Sequence, residues 1–114
     1  VLRRMQGDTA AAAAPERETL GVFAIDRPAR RVWLDGAEVK LTAREFDLLS
    51  FLLAHPGRVH SRDALLTQVW GPSFVGDRKT VDVHIRWLRA KFAASVPFAI
   101  VTVRGIGYRL DRPA

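Results

Sequence analysis

Asp77-Arg-Lys-Thr-Val-Asp-Val-His-Ile-Arg-Trp-Leu-Arg-Ala-Lys-Phe92 is the stretch whose reading decides the fold. Val81, Ile85, Leu88 and Phe92 recur at i, i+4, i+7 and i+11. That is the period of a buried helical stripe. The opposite arc of the same helix carries Lys79, Thr80, Val83, Arg86, Trp87 and Ala90, with His84 at its margin. Such a surface is poor core material and good groove material. Cations meet phosphate there, and donors and flat groups meet base edges. A solvated basic face is the plainer alternative for this helix taken alone.

The charge distribution bears on that choice. The formal net charge is +6. Residues 77–112 hold eight Lys/Arg against three Asp/Glu, whereas residues 1–76 hold ten against nine. The surplus is concentrated in the last third, which points to an anionic partner docking there. The chain has no cysteine, so disulfides, thiolate metal sites and cysteine nucleophiles are excluded. No apolar run approaches membrane length, and the first residues lack the apolar centre of a signal peptide. Its 114 residues suffice for one domain plus a tail.

Upstream, Thr42-Ala-Arg-Glu45 is a capping box with Leu41 and Phe46 placed as a hydrophobic staple. It opens a largely buried helix that stops at His55-Pro56-Gly57. Arg58-Val-His60 reads as a short extended link, after which Ser61 caps a second helix bearing Leu65, Leu66, Val69 and Trp70. Gly71–Gly76 breaks it, and Asp77 is placed to cap the third helix. Earlier still, Asp35-Gly36 between two β-prone runs is a hairpin signal. It predicts a small antiparallel sheet whose apolar members are Val22, Ile25, Trp33 and Val39. At the other end, Ala99–Val103 and Tyr108–Leu110 flank Arg104-Gly-Ile-Gly107, a hairpin with an arginine at its tip. Residues 1–19 have no apolar period and read as an interdomain linker. The fold class is therefore α+β: a winged helix-turn-helix with an N-terminal antiparallel sheet, three helices and a C-terminal hairpin wing.

Five segments in order then resemble a known family. They are Leu41-Thr-Ala-Arg-Glu-Phe-Asp-Leu-Leu49, His55-Pro-Gly-Arg-Val-His-Ser-Arg62, Val69-Trp-Gly71, Thr80-Val-Asp-Val-His-Ile-Arg86, and Thr102-Val-Arg-Gly-Ile-Gly-Tyr-Arg109. Over roughly residues 20–112 the chain resembles the C-terminal effector domain of OmpR/PhoB-type two-component response regulators. The resemblance implies a winged-helix DNA-binding domain over 20–114, a receiver domain lying beyond this chain, and a cognate sensor kinase. It also implies a cytoplasmic location, dimeric binding to promoter DNA, and contact with RNA polymerase through the 71–78 loop. It places Thr80, Val83, His84 and Arg86 on the DNA side of the third helix. Trp70, Thr102, Arg104 and Tyr108 fall at the phosphate backbone or wing. One departure stands out: Trp87 occupies a place where well-known members carry arginine, and an indole cannot make a bidentate contact to guanine. Lys79 stands in place of an arginine and would still meet phosphate, as a point charge without the fork.

Other residues have ordinary roles open to them. Arg89 lies off the centre of the DNA arc, suited either to phosphate or to an internal pair with Glu45 or Asp82. Asp82 suits Arg78 or Arg86 at helical spacing. His55, His60 and His84 are too scattered to imply a metal site, and no cofactor is expected. Ser61, His60 and Asp63 are sequence neighbours that cannot converge as a hydrolytic triad, and no enzyme site emerges. The alternative to DNA is an acidic protein partner for the same basic face.

Overall fold

The computed structural model describes residues 17–92 and 96–112. The linker reading of residues 1–16 lies outside the described residues, as does the Ala93–Ser95 link. Residues 17–19, expected in the linker, are instead in a strand. β1 (Arg17–Leu20), β2 (Phe23–Asp26), β3 (Arg31–Leu34) and β4 (Ala37–Val39) form an antiparallel sheet in that order. The Asp35-Gly36 hairpin is present, with φ +52 and +83 at its two residues. Both central residues of a type I′ turn need positive φ, which is why this dipeptide closes β3 onto β4.

Two details of that sheet correct the sequence reading. The run from Leu20 to Ile25 is broken by a two-residue loop, so Val22 sits in a turn and is 49% exposed. Register decides the other. Val32 pairs with Ile25 and Val39 on the core side, whereas Trp33 pairs with Ala24 and Glu38 on the outer face. A one-residue phase difference exchanges the faces. Trp33 is therefore half-buried under the guanidinium groups of Arg17 and Arg31, 4.9 and 5.9 Å from its ring centre. The inner face is Phe23, Ile25 and Val32, all buried. Phe23 meets Phe92 and Phe98 edge-on at 5.8 and 5.0 Å, fastening the sheet to the end of the third helix.

α1 (Ala43–Ala54) has both arms of its capping box: the Glu45 amide donates to Thr42 Oγ1, and Glu45 Oε1 accepts from the Thr42 amide. Its buried residues Phe46, Leu48, Leu49, Leu52 and Leu53 span more than one stripe, so the helix is the centre of the core. Each such side chain contributes ~1.5–3 kcal/mol by leaving water. Glu45 is itself buried, and Lys91 Nζ reaches it at 2.5 Å from α3 (Lys79–Phe92). Burial pushes the Glu45 carboxyl up, but the Lys91 ammonium and the Thr42 amide outweigh it and hold it below the usual carboxylate range.

Most of the Arg58–His60 link is in a strand. β5 (Val59–Ser61) pairs with β7 (Gly107–Asp111), which pairs with β6 (Ala99–Val103). The wing is thus two strands of a three-stranded sheet anchored beside α2 (Arg62–Leu65). His60 is buried, its ring edge-on to Phe51 at 5.0 Å. Burial lowers its pKa, and the neighbouring His55 and Arg58 lower it further. Among the described residues no helix is long and apolar enough to cross a membrane, and no group of three or more His, Asp or Glu is gathered as for a metal.

Candidate nucleic-acid interface

α3 keeps its two faces apart as its sequence demands. Val81, Ile85, Leu88 and Phe92 are buried. Lys79, Val83, Arg86, Trp87 and Ala90 are exposed, and Thr80 and His84 are half-buried. Asp77 opens the helix: its Oδ1 accepts from the Lys79 amide at 3.0 Å and its carbonyl from Thr80 at 2.9 Å.

α2 begins with the Ser61 hydroxyl accepting from the Ala64 amide. It runs on into a π-helical turn, Leu66–Trp70, where the Gly71 amide donates to Leu66 and Thr67. Such wide turns recur at functional sites. Trp70, last in that turn, lies 4.9 Å from the His84 ring, and His84 lies 5.0 Å from Trp87. His84 Nδ1 is 2.7 Å from the Thr80 carbonyl oxygen. A carbonyl only accepts, so Nδ1 carries the proton. The three rings form a ridge along one edge of the helix.

Most of the basic residues from 77 to 112 are already engaged. Arg78 pairs with Asp63, Lys91 with Glu45, Arg109 with Asp111, and Arg112 with Glu18. Arg89 donates to the Ile100 carbonyl and to Thr102 Oγ1, both at 2.8 Å. Its partners are on β6, not the acidic residues anticipated, because α3 lays this position along the wing strand. Lys79, Arg86 and Arg104 are exposed, and among the described residues their side chains make no hydrogen bond or ion pair. Arg104 is at the tip of the wing, where the Ile106 amide closes a turn onto the Val103 carbonyl at 3.0 Å.

One expected wing contact, Tyr108, is placed differently, and Thr102 lies on the wing strand as expected. Tyr108 is 5% exposed, and its hydroxyl donates to Asp82 at 2.5 Å. Its ring is core and its hydroxyl positions the wing, so it is no surface contact. Thr102 is exposed on β6, its hydroxyl oxygen accepting from Arg89 and its O–H left to donate. Asp82 is bound by Tyr108 and by Arg62 Nε at 2.7 Å, not by Arg78 or Arg86. Burial pushes the Asp82 carboxyl up, yet the tyrosine hydroxyl and the guanidinium hold it below its ordinary value. The Arg62 guanidinium also lies 5.2 Å over the Tyr108 ring. Sequence reading missed Arg62 as the centre of this joint. Its partners come from α3 and β7, and no local spacing links the three.

The loop from Gly71 to Arg78 leaves Phe74 40% and Val75 97% exposed. Two neighbouring apolar side chains in water are costly to display and often mark a contact surface.

Residues 36–110 match the family described as "Transcriptional regulatory protein, C terminal". The chain belongs to that family. It is a winged-helix DNA-binding domain of the OmpR/PhoB-type response regulators. It is 50% identical over 113 residues to the "Alkaline phosphatase synthesis transcriptional regulatory protein SphR" of Synechococcus elongatus, covering 96% of this chain and 43% of that protein. It thus spans less than half the length of this relative. Among solved structures it resembles the RstA DNA-binding domain of Klebsiella pneumoniae in complex with the RstA box. That match has 37% identity and a TM-score of 0.73, over 85% of this chain and 98% of the other. It also resembles DrrB of Thermotoga maritima, an OmpR/PhoB homologue, at 27% identity and a TM-score of 0.80, over 96% and 50% of the two chains. The family is one of transcriptional regulators and not of enzymes.

Proposed function

We propose that this domain binds double-stranded promoter DNA sequence-specifically, with α3 in the major groove and the wing at an adjacent groove. One observation carries the reading. Among residues 77–112, once internal pairing within the described residues is accounted for, the free cations Lys79, Arg86 and Arg104 lie on the outer arc of α3 and at the wing tip. Phosphate contacts from such groups fix orientation, and base edges are left to the side chains between them. Thr80, Val83, His84, Arg86 and Trp87 supply that reading surface, with Trp70 at its edge. Thr102 is exposed on the wing strand to meet the phosphate backbone, and Tyr108 acts through the wing's position. An RstA domain of the same family was solved with its DNA box, which supports the assignment.

The salt dependence of binding tests it. Lys79→Ala and Arg104→Ala should each weaken binding to most sequences alike and flatten the slope of log affinity on log salt by roughly one. An Arg104→Ala protein with unchanged affinity and slope would remove the wing from the interface. If the basic face instead served an acidic protein, binding to DNA fragments across salt would show no sequence enrichment.

Family membership further supports a receiver domain in the same protein, a cognate sensor kinase, a second copy on the DNA, and the cytoplasm as the place of action. The exposed Phe74 and Val75 suit an apolar contact with RNA polymerase. Val75→Asp should therefore lower transcription from a bound promoter without changing DNA affinity. Equal transcription from the variant in a purified system rules the contact out.

A further inference from the structure

We propose that Trp87 reads a thymine through its 5-methyl group, giving this domain a thymine preference at that position. The inference rests on the DNA-binding reading above. Trp87 is 45% exposed and Val83, one turn earlier, is 36% exposed. Both project from the arc that also carries the free cations Lys79 and Arg86. Together they make an exposed apolar pair inside a basic arc, and such a patch rimmed by charge marks a contact surface.

The chemistry of the groove narrows what can cover it. The base edges of the major groove offer hydrogen-bond acceptors, amino donors and a single apolar group, the thymine 5-methyl. The indole has one N–H donor and no acceptor. It cannot form the forked contact that singles out guanine, and its apolar face gains nothing by desolvating the polar edge of another base. Against a methyl group the same face loses water on both sides.

The surroundings of Trp87 fit a fixed reader. Its ring meets His84 at 5.0 Å, and His84 is held by Trp70 at 4.9 Å and by its own bond to the Thr80 carbonyl. A ring braced on one side has less freedom to lose on binding, so more of the contact free energy is retained.

Deoxyuridine isolates the methyl group. Preferred duplexes are first selected from random DNA with this domain. Each thymine of the selected site is then replaced singly by deoxyuridine, and affinity is measured by fluorescence anisotropy at fixed salt. At one position the parent protein should bind about fourfold more weakly, equivalent to ~0.8 kcal/mol for one apolar carbon. Trp87→Ala should be indifferent to the same replacement, and Trp87→Arg should select guanine there. Trp87 is on the surface, so unchanged melting temperatures will show that both variants fold. Specific binding in which no deoxyuridine matters overturns the inference and leaves the DNA-binding reading intact. So does a methyl effect that survives Trp87→Ala, which would transfer it to Val83. If no sequence is enriched by the parent protein, both readings fall.

Discussion

Gly107→Ala should destabilise the domain by ~3 kcal/mol or more, near the upper end for a single added methyl in a packed site. The position is the first of β7, opposite Ser61 in β5. A Cβ built there would lie 1.9 Å from the His60 carbonyl oxygen and 2.9 Å from its carbon and from Ser61 Cα. The near atoms are backbone, so no side chain can rotate out of the way. Nor can β5 simply move off. The His60 side chain is buried against Phe51, and the Ser61 hydroxyl caps α2. Relief requires the β5–β7 pairing to open, and that pairing is one of the links that join the wing to the helices. A melting temperature lower by ~10 °C or more is expected, at ~4–8 °C per kcal/mol for a domain of this size. Circular dichroism melts of the two proteins decide it. A variant melting within two or three degrees of the parent would mean that the strands accommodate the methyl.

That same glycine shows where sequence reading stops. Gly107 was legible as part of a turn, because Gly-Ile-Gly before a β-prone run is a local signal. Its closer constraint comes from His60, a residue far away in the chain. Several elements defined locally were legible: the Thr42–Glu45 capping box, the Asp35-Gly36 turn, and the four-residue stripe of α3. What was hidden depended on pairing across the fold. β5 has three residues, two of them exposed, so only its partner β7 makes it a strand. Trp33 and Val32 are equally good sheet residues, and only the register with Ile25 and Val39 decides which one faces the core. At the candidate interface the helical wheel found the exposed face. It could not tell a cation facing water from one facing a neighbouring strand.

Arg86 and Arg89 make that last distinction measurable. They are three residues apart on α3, both exposed and both basic, and a wheel assigns them adjoining places. Their surroundings predict opposite phenotypes. Arg86 has no internal partner among the described residues. Arg86→Ala should leave the melting temperature unchanged and weaken specific DNA binding by ~1–3 kcal/mol, the worth of one good base contact. Relaxed preference should appear at one base position. Arg89 clips α3 to β6 through the Ile100 carbonyl and the Thr102 hydroxyl, and its guanidinium lies 5.7 Å over the Tyr108 ring. Arg89→Ala should lower stability by ~1.5–3 kcal/mol, as for hydrogen bonds to a charged group. The salt slope of the folded protein should hold nearly constant, because that charge is already committed to the wing. Lysine separates the two roles again. At 86 it retains charge for phosphate but not the planar fork, whereas at 89 its shorter side chain gives up the second contact that Arg89 makes to the Ile100 carbonyl through Nε. Paired thermal melts and salt titrations of the four variants test the assignment. If Arg89→Ala flattens the salt slope as much as Arg86→Ala while melting like the parent, the clip is not what holds the wing, and Arg89 belongs with the DNA-facing cations.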